Sequence, residues 1–211
     1  MAYVLGFFAA DGYITVNRRG GQFWSIQITD KKLLESIKKA VGSEHKITIG
    51  IRSGNASTSY RLQIGSIEMC ADLRRLGMQE RKTKSLVVPS VPSEYFSDFV
   101  RGYFDGDGNV WMGLIHKQRK TSHLTLTTMF TSCSLEFLTQ LRDRLHTRGL
   151  CGGCIYRSKK NYSRLQFSAG DSLKLYDYMY NNKGYMKNRL FLERKRRVFE
   201  KYNTVKNAAV V

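Results

Sequence analysis

The chain has 211 residues, and its 35 lysines and arginines against 17 aspartates and glutamates give a formal net charge of +18. Apolar residues make up 42% and aromatic residues 12% of the chain, which excludes wholesale disorder and allows a sizeable buried core. No apolar run approaches the roughly 20 residues of a membrane span, and no secretion signal precedes the first motif, so we expect an intracellular protein without a membrane partner. The excess positive charge predicts a polyanionic partner, and nucleic acid is the leading candidate.

A nonapeptide near the N-terminus recurs 96 residues later. The segment VLGFFAADG at 4–12 matches VRGYFDGDG at 100–108. After each copy come two alternating stretches, a helical pattern, two more alternating stretches and another helical pattern. Predicted strands cover 13–17, 24–28, 46–52, 59–64, 109–116, 124–130, 154–157 and 163–168, and predicted helices cover 31–40, 66–76, 135–145 and 172–180. The sequence therefore predicts an α+β fold of two pseudo-symmetric helix-ββ-helix-ββ-helix repeats with antiparallel sheets.

The two prolines of the chain, Pro89 and Pro92, mark a linker between the repeats at about 87–93. We expect an N-terminal repeat at 1–92 and a C-terminal repeat at 93–211, with Ser93 beginning the helix of the second motif. Each repeat is small for an independent core, so the two are expected to pack about a pseudo-two-fold axis.

Small residues four apart on each motif helix predict where the repeats meet. They are Gly6 and Ala10 in the first copy and Gly102 and Gly106 in the second. Small side chains at this spacing let two helices approach with their backbones close. We therefore expect the motif helices to pack at the pseudo-two-fold axis.

Each motif ends in an aspartate followed by a glycine, which we expect to be the C′ residue of the helix. The C-terminal end of a helix carries partial negative charge, so Asp11 and Asp107 are each unfavourable there by about 0.3–1 kcal/mol. If the helices pack together, the two carboxylates also repel each other unless a cation lies between them. Paired carboxylates that hold Mg²⁺ and activate water beside a phosphodiester account for both placements. The alternative, that Asp-Gly only forms a turn into each first strand, is adequate for one copy but weak for two.

The two nonapeptides resemble the signature motifs of the LAGLIDADG homing endonuclease family, and the resemblance extends over essentially the whole chain. The second copy is a specific match, whereas in the first Ala9 stands where the motif has its earlier aspartate. The resemblance implies a single-chain, monomeric enzyme that makes a staggered double-strand cut with 3′ overhangs in a long, near-unique DNA site. It implies Mg²⁺ as the cofactor, with Mn²⁺ as a substitute and Ca²⁺ supporting binding without cleavage.

The resemblance also assigns roles to residues. It implies that Asp11 and Asp107 are catalytic, metal-binding acids, with Ala10 and Gly106 beside them as further metal contacts. By the same resemblance, Lys82 and Lys195 are basic residues near the active site that could polarise the scissile phosphate or perturb the attacking water. Lys84 and Lys187 lie nearby in the sequence and stay open as alternatives, as does generic phosphate contact.

Strand alternation divides the predicted sheets into an inner and an outer face, because side chains two apart share a face. The inner faces are predicted to hold Ile14, Val16, Ile26, Ile28, Ile47, Ile49, Ile51, Leu62, Ile64, Leu124, Leu126, Leu165 and Phe167. The outer faces and hairpin tips are rich in side chains that read base edges or phosphates, which favours a DNA-binding saddle. The predicted DNA contacts are Thr15, Asn17, Arg18, Arg19, Ser25, Gln27, Thr48, Arg52, Arg61, Gln63, Lys117, His123, Thr125, Thr127, Arg157, Lys159, Arg164 and Gln166.

Two other functions compete with the endonuclease hypothesis. An intron RNA-binding maturase could use the same fold, but retention of both motif acids argues against a purely RNA-binding role. A DNA-binding regulator on a degenerate copy of the fold would be expected to have an added helix-turn-helix domain. An intein is not expected either, because the chain begins with Met1-Ala2 and ends with Val210-Val211. We therefore expect a free-standing endonuclease of intron-homing type.

Overall fold

The structure is a computed structural model that describes residues 1–50, 58–80, 82–116, 118, 122–181 and 190–208. The first repeat contains α1 (Ala2–Asp11), β1 (Gly12–Val16), β2 (Gln22–Ile28), α2 (Lys31–Ala40), β3 (Thr48–Gly50), β4 (Ser59–Gly65) and α3 (Ile67–Arg75). The second contains α4 (Phe96–Asp107), β5 (Gly108–Ile115), β6 (His123–Ser132), α5 (Leu135–His146), β7 (Cys154–Arg157), β8 (Ser163–Phe167) and α6 (Ala169–Tyr180), followed by α7 (Glu193–Ala208). Within these ranges no helix is both long and apolar enough to cross a membrane.

The two repeats form two antiparallel sheets with the same topology. The strand orders are β1-β2-β4-β3 and β5-β6-β8-β7. The register also repeats, since Gly12 lies opposite Ile26 in the first sheet and Gly108 opposite Phe130 in the second. The predicted α+β fold of two sheet-and-helix repeats is thus confirmed. One hydrophobic core runs through both repeats.

Some helices begin where the sequence predicts and others do not. Asp30 accepts a hydrogen bond from the Leu33 N–H at 2.9 Å and so caps α2, as its sequence position suggests. Helix α4, however, begins at Phe96 and not at Ser93. Residues 93–95 instead form a turn in which the Tyr95 N–H donates to the carbonyl of Pro92 at 3.0 Å.

Fewer residues are buried on the inner face of the first sheet than the alternation predicts. Ile26 and Leu62 are fully buried, but Val16 is 53% exposed and Ile49 is 64% exposed. Val16 is the last residue of β1, and Ile49 lies on the three-residue edge strand β3, so the helices do not cover either side chain. Ile51 lies outside the described residues.

Helices α1 and α4 pack backbone against backbone. A Cβ atom on Gly6 would overlap the carbonyl oxygen of Phe99, and one on Gly102 would overlap the carbonyl oxygen of Tyr3. Further along the same contact, a Cβ atom on Gly106 would overlap the methyl group of Ala10. The small residues of the two motifs thus lie where the helices touch.

The glycine after each motif aspartate ends its helix without the left-handed conformation that is common at a helix C-terminus. Gly12 and Gly108 are in extended conformation, with φ of −85° and −87°. A Cβ atom on Gly12 would overlap the ring of Phe8, and one on Gly108 would overlap Phe104. Each glycine is therefore needed for close packing and lets the chain pass from helix directly into strand.

The helix contact makes a prediction about stability. The substitution Gly102→Ala should lower the free energy of unfolding by about 3 kcal/mol, because the new methyl group forces the two backbones apart. Thermal and urea unfolding of the full chain would measure this loss. The matched control is Gly170→Ala in α6, where no atom lies within 4 Å of the new methyl group and stability should stay equal or rise. Equal effects of the two substitutions would contradict the close contact.

Candidate active site

The C-terminal ends of α1 and α4 bring Asp11 and Asp107 to the same place on the surface. A Cβ atom on Gly106 would lie 3.2 Å from Oδ2 of Asp11, so the carboxylate of the first helix lies against the end of the second. Both aspartates are exposed. Within the described ranges, neither carboxylate accepts a hydrogen bond or lies within 4.0 Å of a basic nitrogen. Both are therefore free to bind a ligand.

The two carboxylates share an unfavourable electrostatic environment. Desolvation by the surrounding protein and the negative charge of Asp11 raise the pKa of Asp107 to about 6. Desolvation also raises the pKa of Asp11, while the nearby charges of Lys195 and Lys82 act in the opposite direction. The solvent that reaches both side chains screens part of this repulsion. A cation between the carboxylates would relieve what remains.

A buried lysine from elsewhere in the chain contacts the backbone carbonyls at the C-terminal end of each motif helix. Lys82, which is 8% exposed, donates a hydrogen bond to the carbonyl of Gly12 and lies over the ring of Phe8, with 5.3 Å from Nζ to the ring centroid. Lys195 lies over the equivalent ring, Phe104, at 5.2 Å. The positive charge that favours a helix C-terminus therefore comes from these two lysines.

Lys195 is held more firmly than Lys82. Its ammonium group donates to the carbonyls of Phe104, Asp105 and Gly108 at 2.6, 2.8 and 2.6 Å, with Gly106 at 3.4 Å. Burial lowers its pKa to about 8, while the charge of Asp105 acts to raise it. Because carbonyls occupy its three N–H groups and the side chain is 4% exposed, Lys195 does not reach a phosphate in this arrangement. Lys195 lies near the two motif aspartates, as the resemblance implies, and its charge acts to lower the pKa of both Asp11 and Asp107.

The residues at this site fit a hard divalent cation. Its anionic ligands would be the two free carboxylates, and oxygen ligands of this kind are preferred by Mg²⁺ and Ca²⁺. No group of three or more His, Cys, Asp or Glu side chains suited to a metal is found among the described residues. Backbone carbonyls, water and a substrate phosphate would therefore complete the coordination. The carbonyl of Gly106 is only weakly engaged by Lys195, at 3.4 Å, which leaves it available for this purpose.

Asp105 is a buried acid that the repeat comparison did not single out. Its Oδ2 accepts hydrogen bonds from the Tyr3 hydroxyl at 2.7 Å and from the Leu192 N–H at 2.8 Å. It therefore ties α4 both to α1 and to the start of α7, three residues before Lys195. The difference between the copies, Ala9 in the first and Asp105 in the second, was the available signal.

The predicted DNA-contact residues fall largely on the outer faces of the sheets and on the hairpin tips. Exposed or half-buried are Thr15, Asn17, Arg18, Arg19, Gln27, Thr48, Arg61, Gln63, His123, Thr125, Thr127, Arg157, Lys159, Arg164 and Gln166. Several of these polar groups also bond within the protein: Gln27 donates to the Ser59 hydroxyl at 2.8 Å, and Asn17 caps its own hairpin turn. Arg52, Lys117 and Lys187 lie outside the described residues.

Ser25 is a correction to the predicted set. It is completely buried, and its hydroxyl has no hydrogen-bond partner in the described part of the chain. Ser25 is on the outer face by alternation, but it lies between Tyr13 and Gln63 in the register of the sheet. Because its side chain is completely buried between these neighbouring strands, Ser25 is not available to DNA.

The repulsion at the site makes a prediction about stability. In the absence of metal, Asp107→Asn should raise Tm by about 2–4 °C at pH 8, the shift that about 1 kcal/mol gives at this chain length. The unfolded carboxyl has the ordinary pKa of 3.8 and the folded one a pKa of about 6, so the cost of ionisation appears as pH rises through this window. Below pH 4 the carboxyl is protonated in both states and the gain should vanish. The control Asp143→Asn, on the exposed face of α5, should change Tm little at either pH, and equal behaviour of the two variants would contradict this electrostatic account.

Comparison with known proteins supports the fold and the motif assignment. Residues 1–77 match the family model described as LAGLIDADG-like domain. A probable translation initiation factor IF-2 of Thermococcus kodakarensis is 30% identical over 155 residues, an alignment that covers 70% of this chain and 12% of that protein. The chain thus spans about an eighth of the length of this relative.

Solved structures match over nearly the whole chain. The homing endonuclease I-SmaMI bound to cleaved DNA superposes with a TM-score of 0.63 at 17% identity, covering 97% of this chain and 87% of that one. The meganuclease I-AabMI bound to uncleaved DNA gives 0.61 at 17% identity, covering 99% and 90%. I-SmaMI bound to uncleaved DNA in the presence of calcium ions gives 0.62 at 15% identity, covering 97% and 89%. Residues 1–77 are therefore similar in sequence to the LAGLIDADG-like domain, and the whole chain has the fold of the LAGLIDADG proteins I-SmaMI and I-AabMI.

Proposed function

We propose that this protein is a monomeric, Mg²⁺-dependent, site-specific DNA endonuclease that acts inside the cell and makes a staggered double-strand cut in a long target. The observation that carries the proposal is the pair of free carboxylates, Asp11 and Asp107, at the joined ends of the two motif helices. A purely structural helix pair gains nothing from two acids at its negative ends, whereas metal-assisted phosphodiester hydrolysis requires acids in this position.

In the proposed reaction Asp11 and Asp107 would hold the metal, and the carbonyls of Ala10 and Gly106 would be available as further ligands. When bound, Mg²⁺ supplies Lewis-acid chemistry: it lowers the pKa of a bound water and neutralises charge that develops on the phosphate. Lys82 and Lys195 fix the ends of the helices and lower the proton affinity of both carboxylates. Each aspartate is expected to serve one DNA strand, because the two halves of the site are related by the repeat.

The two sheets would bind the DNA on either side of this site. Their outer faces present amide, hydroxyl and guanidinium groups, of which Gln63, Arg61, Arg164 and Gln166 occupy equivalent places in the two repeats. Side chains of this kind make hydrogen bonds to base edges in the major groove. Arg18, Arg19, Lys159 and neighbouring basic groups at the hairpin tips would contact phosphates.

Double-stranded DNA is favoured over RNA by these features together. I-SmaMI and I-AabMI are described in complexes with DNA, and their fold covers nearly the whole of this chain. The activity of the translation factor is not transferred, because the aligned part is 12% of that protein. An intron maturase would not need the two free carboxylates, and RNA binding is therefore treated as an outcome of the test.

The first test is cleavage of a randomised double-stranded DNA library by the purified full chain with Mg²⁺, followed by sequencing of the cut ends. We expect one long preferred site with a fixed 3′ stagger in Mg²⁺ or Mn²⁺, and binding without cutting in Ca²⁺. Asp11→Asn and Asp107→Asn should each lower double-strand cleavage of that site at least about a hundredfold while sparing binding.

The opposite outcomes are equally clear. Undiminished cutting by either variant would remove that aspartate from the mechanism. Binding to DNA without cutting in Mg²⁺ and Mn²⁺, together with specific binding to intron RNA, would support the maturase instead.

The charge of the chain makes a separate prediction about affinity. Binding of the preferred site in Ca²⁺ should weaken about a thousandfold or more between 50 and 200 mM monovalent salt, because six or more phosphate contacts release counterions. Equilibrium titrations with labelled DNA at four salt concentrations would measure the slope. An affinity that is nearly independent of salt would contradict the role of the basic hairpin tips.

A further inference from the structure

The outer face of the second sheet contains an apolar surface that a simple phosphate-binding face does not need. Trp111 is 45% exposed, although tryptophan is one of the most apolar residues in the chain. With Ile115 and Met129 it lines a depression of about 450 Å³, whose polar rim is formed by Thr125, Thr127 and Gln166. The strand alternation that places Thr127 and Gln166 on the proposed DNA face places these three apolar side chains there as well.

The backbone of β5 is adapted to the indole of Trp111. A Cβ atom on Gly113, two residues further on the same face, would overlap the indole ring of Trp111. The absence of a side chain at Gly113 therefore lets the ring lie flat along the strand, with one face toward solvent. This arrangement presents a broad apolar surface on the outer face of the sheet.

The first repeat has a different surface at the equivalent positions. Thr15 stands in the place of Trp111, and the buried Ser25 stands in the place of Met129, since Ile26 and Phe130 lie opposite the equivalent glycines Gly12 and Gly108. The outer faces of the two sheets thus differ at the positions where the second is apolar. Such a difference would suit a DNA site whose two halves differ in sequence.

The position of Gln166 indicates which base pair the residues of this depression can recognise. It lies beside Met129 in the register of β6 and β8, at the edge of the apolar surface. In the major groove a glutamine amide pairs with N6 and N7 of adenine, and apolar side chains contact the C5 methyl group of thymine. An A·T pair presents both features side by side, and no other base pair offers a methyl group there.

We propose that Trp111 and Met129 form a thymine-methyl pocket that, together with Gln166, selects an A·T pair in the half-site bound by the second repeat. The inference rests on the proposed DNA-binding function and deepens it by naming a specificity determinant. It accounts for the exposed indole, for the glycine beneath the indole and for the difference between the two sheets.

The experiment uses the full chain and the preferred site from the library selection. Each thymine in that site is replaced in turn by deoxyuridine, which removes the methyl group and leaves the hydrogen-bonding edge unchanged. Affinity is measured in Ca²⁺. At one A·T position the loss of the methyl group should weaken binding about fourfold. In Trp111→Thr, which installs the residue of the first repeat, thymine and deoxyuridine should bind equally at that position.

The matched control is Leu114→Thr, a substitution of another exposed apolar residue on β5 whose side chain belongs to the opposite face by alternation. This variant should keep the fourfold preference for thymine. Met129→Ser provides a second variant, which should reduce the preference without disturbing the indole.

Several results would overturn the inference. A preferred site that is bound tightly but tolerates deoxyuridine at every position would refute the methyl pocket and leave the endonuclease proposal intact. A preference for thymine that persists in Trp111→Thr and Met129→Ser would show that other residues of the protein recognise the methyl group. Failure to bind any DNA site specifically would refute the proposed function and this inference together.

Discussion

The contact between α1 and α4 determines where everything else in the molecule lies. Gly6 and Gly102 each face a carbonyl group of the other helix at a distance that leaves no room for a Cβ atom, so the two backbones lie in direct contact. A contact of this kind leaves no freedom to slide or rotate. It therefore fixes both the distance between the two motif aspartates and the relation of one sheet to the other. Specific binding of a long ligand across both sheets depends on that second relation.

The same contact brings several negatively charged groups together, and two buried lysines compensate part of this charge. Four features at the helix ends are negative: two carboxylates and two sets of terminal carbonyls. Lys82 and Lys195 neutralise the carbonyls from inside the protein, each over an aromatic ring of its own repeat. The carboxylates stay unpaired, and desolvation together with the negative charge of Asp11 raises the pKa of Asp107 to about 6. The repulsion between the carboxylates thus lowers the stability of the fold, and a divalent cation bound between them would restore it.

Much of the fold and the centre of the site could be predicted from the sequence, because they depend on patterns that occur twice. The repeat, the antiparallel sheets, the helix contact and the pairing of the acids all follow from residues with counterparts in both copies. Several features that could not be predicted occur only once. Asp105 is buried by the start of α7, a contact distant in sequence. Ser25 is covered by cross-strand neighbours, and Trp111 needs Gly113 beneath it, so both depend on side-chain packing that periodicity does not describe.

The central claim is that the helix contact places Asp11 and Asp107 in one electrostatic field that a divalent cation can neutralise. The most direct measurement is the pKa of the Asp107 carboxyl, followed by carbon-13 NMR of labelled aspartate in the full chain and in Asp11→Asn. We predict a pKa of about 6 in the unsubstituted protein, a lower value in Asp11→Asn and a lower value when Mg²⁺ is added. An Asp107 pKa that neither the substitution nor Mg²⁺ changes would contradict the account.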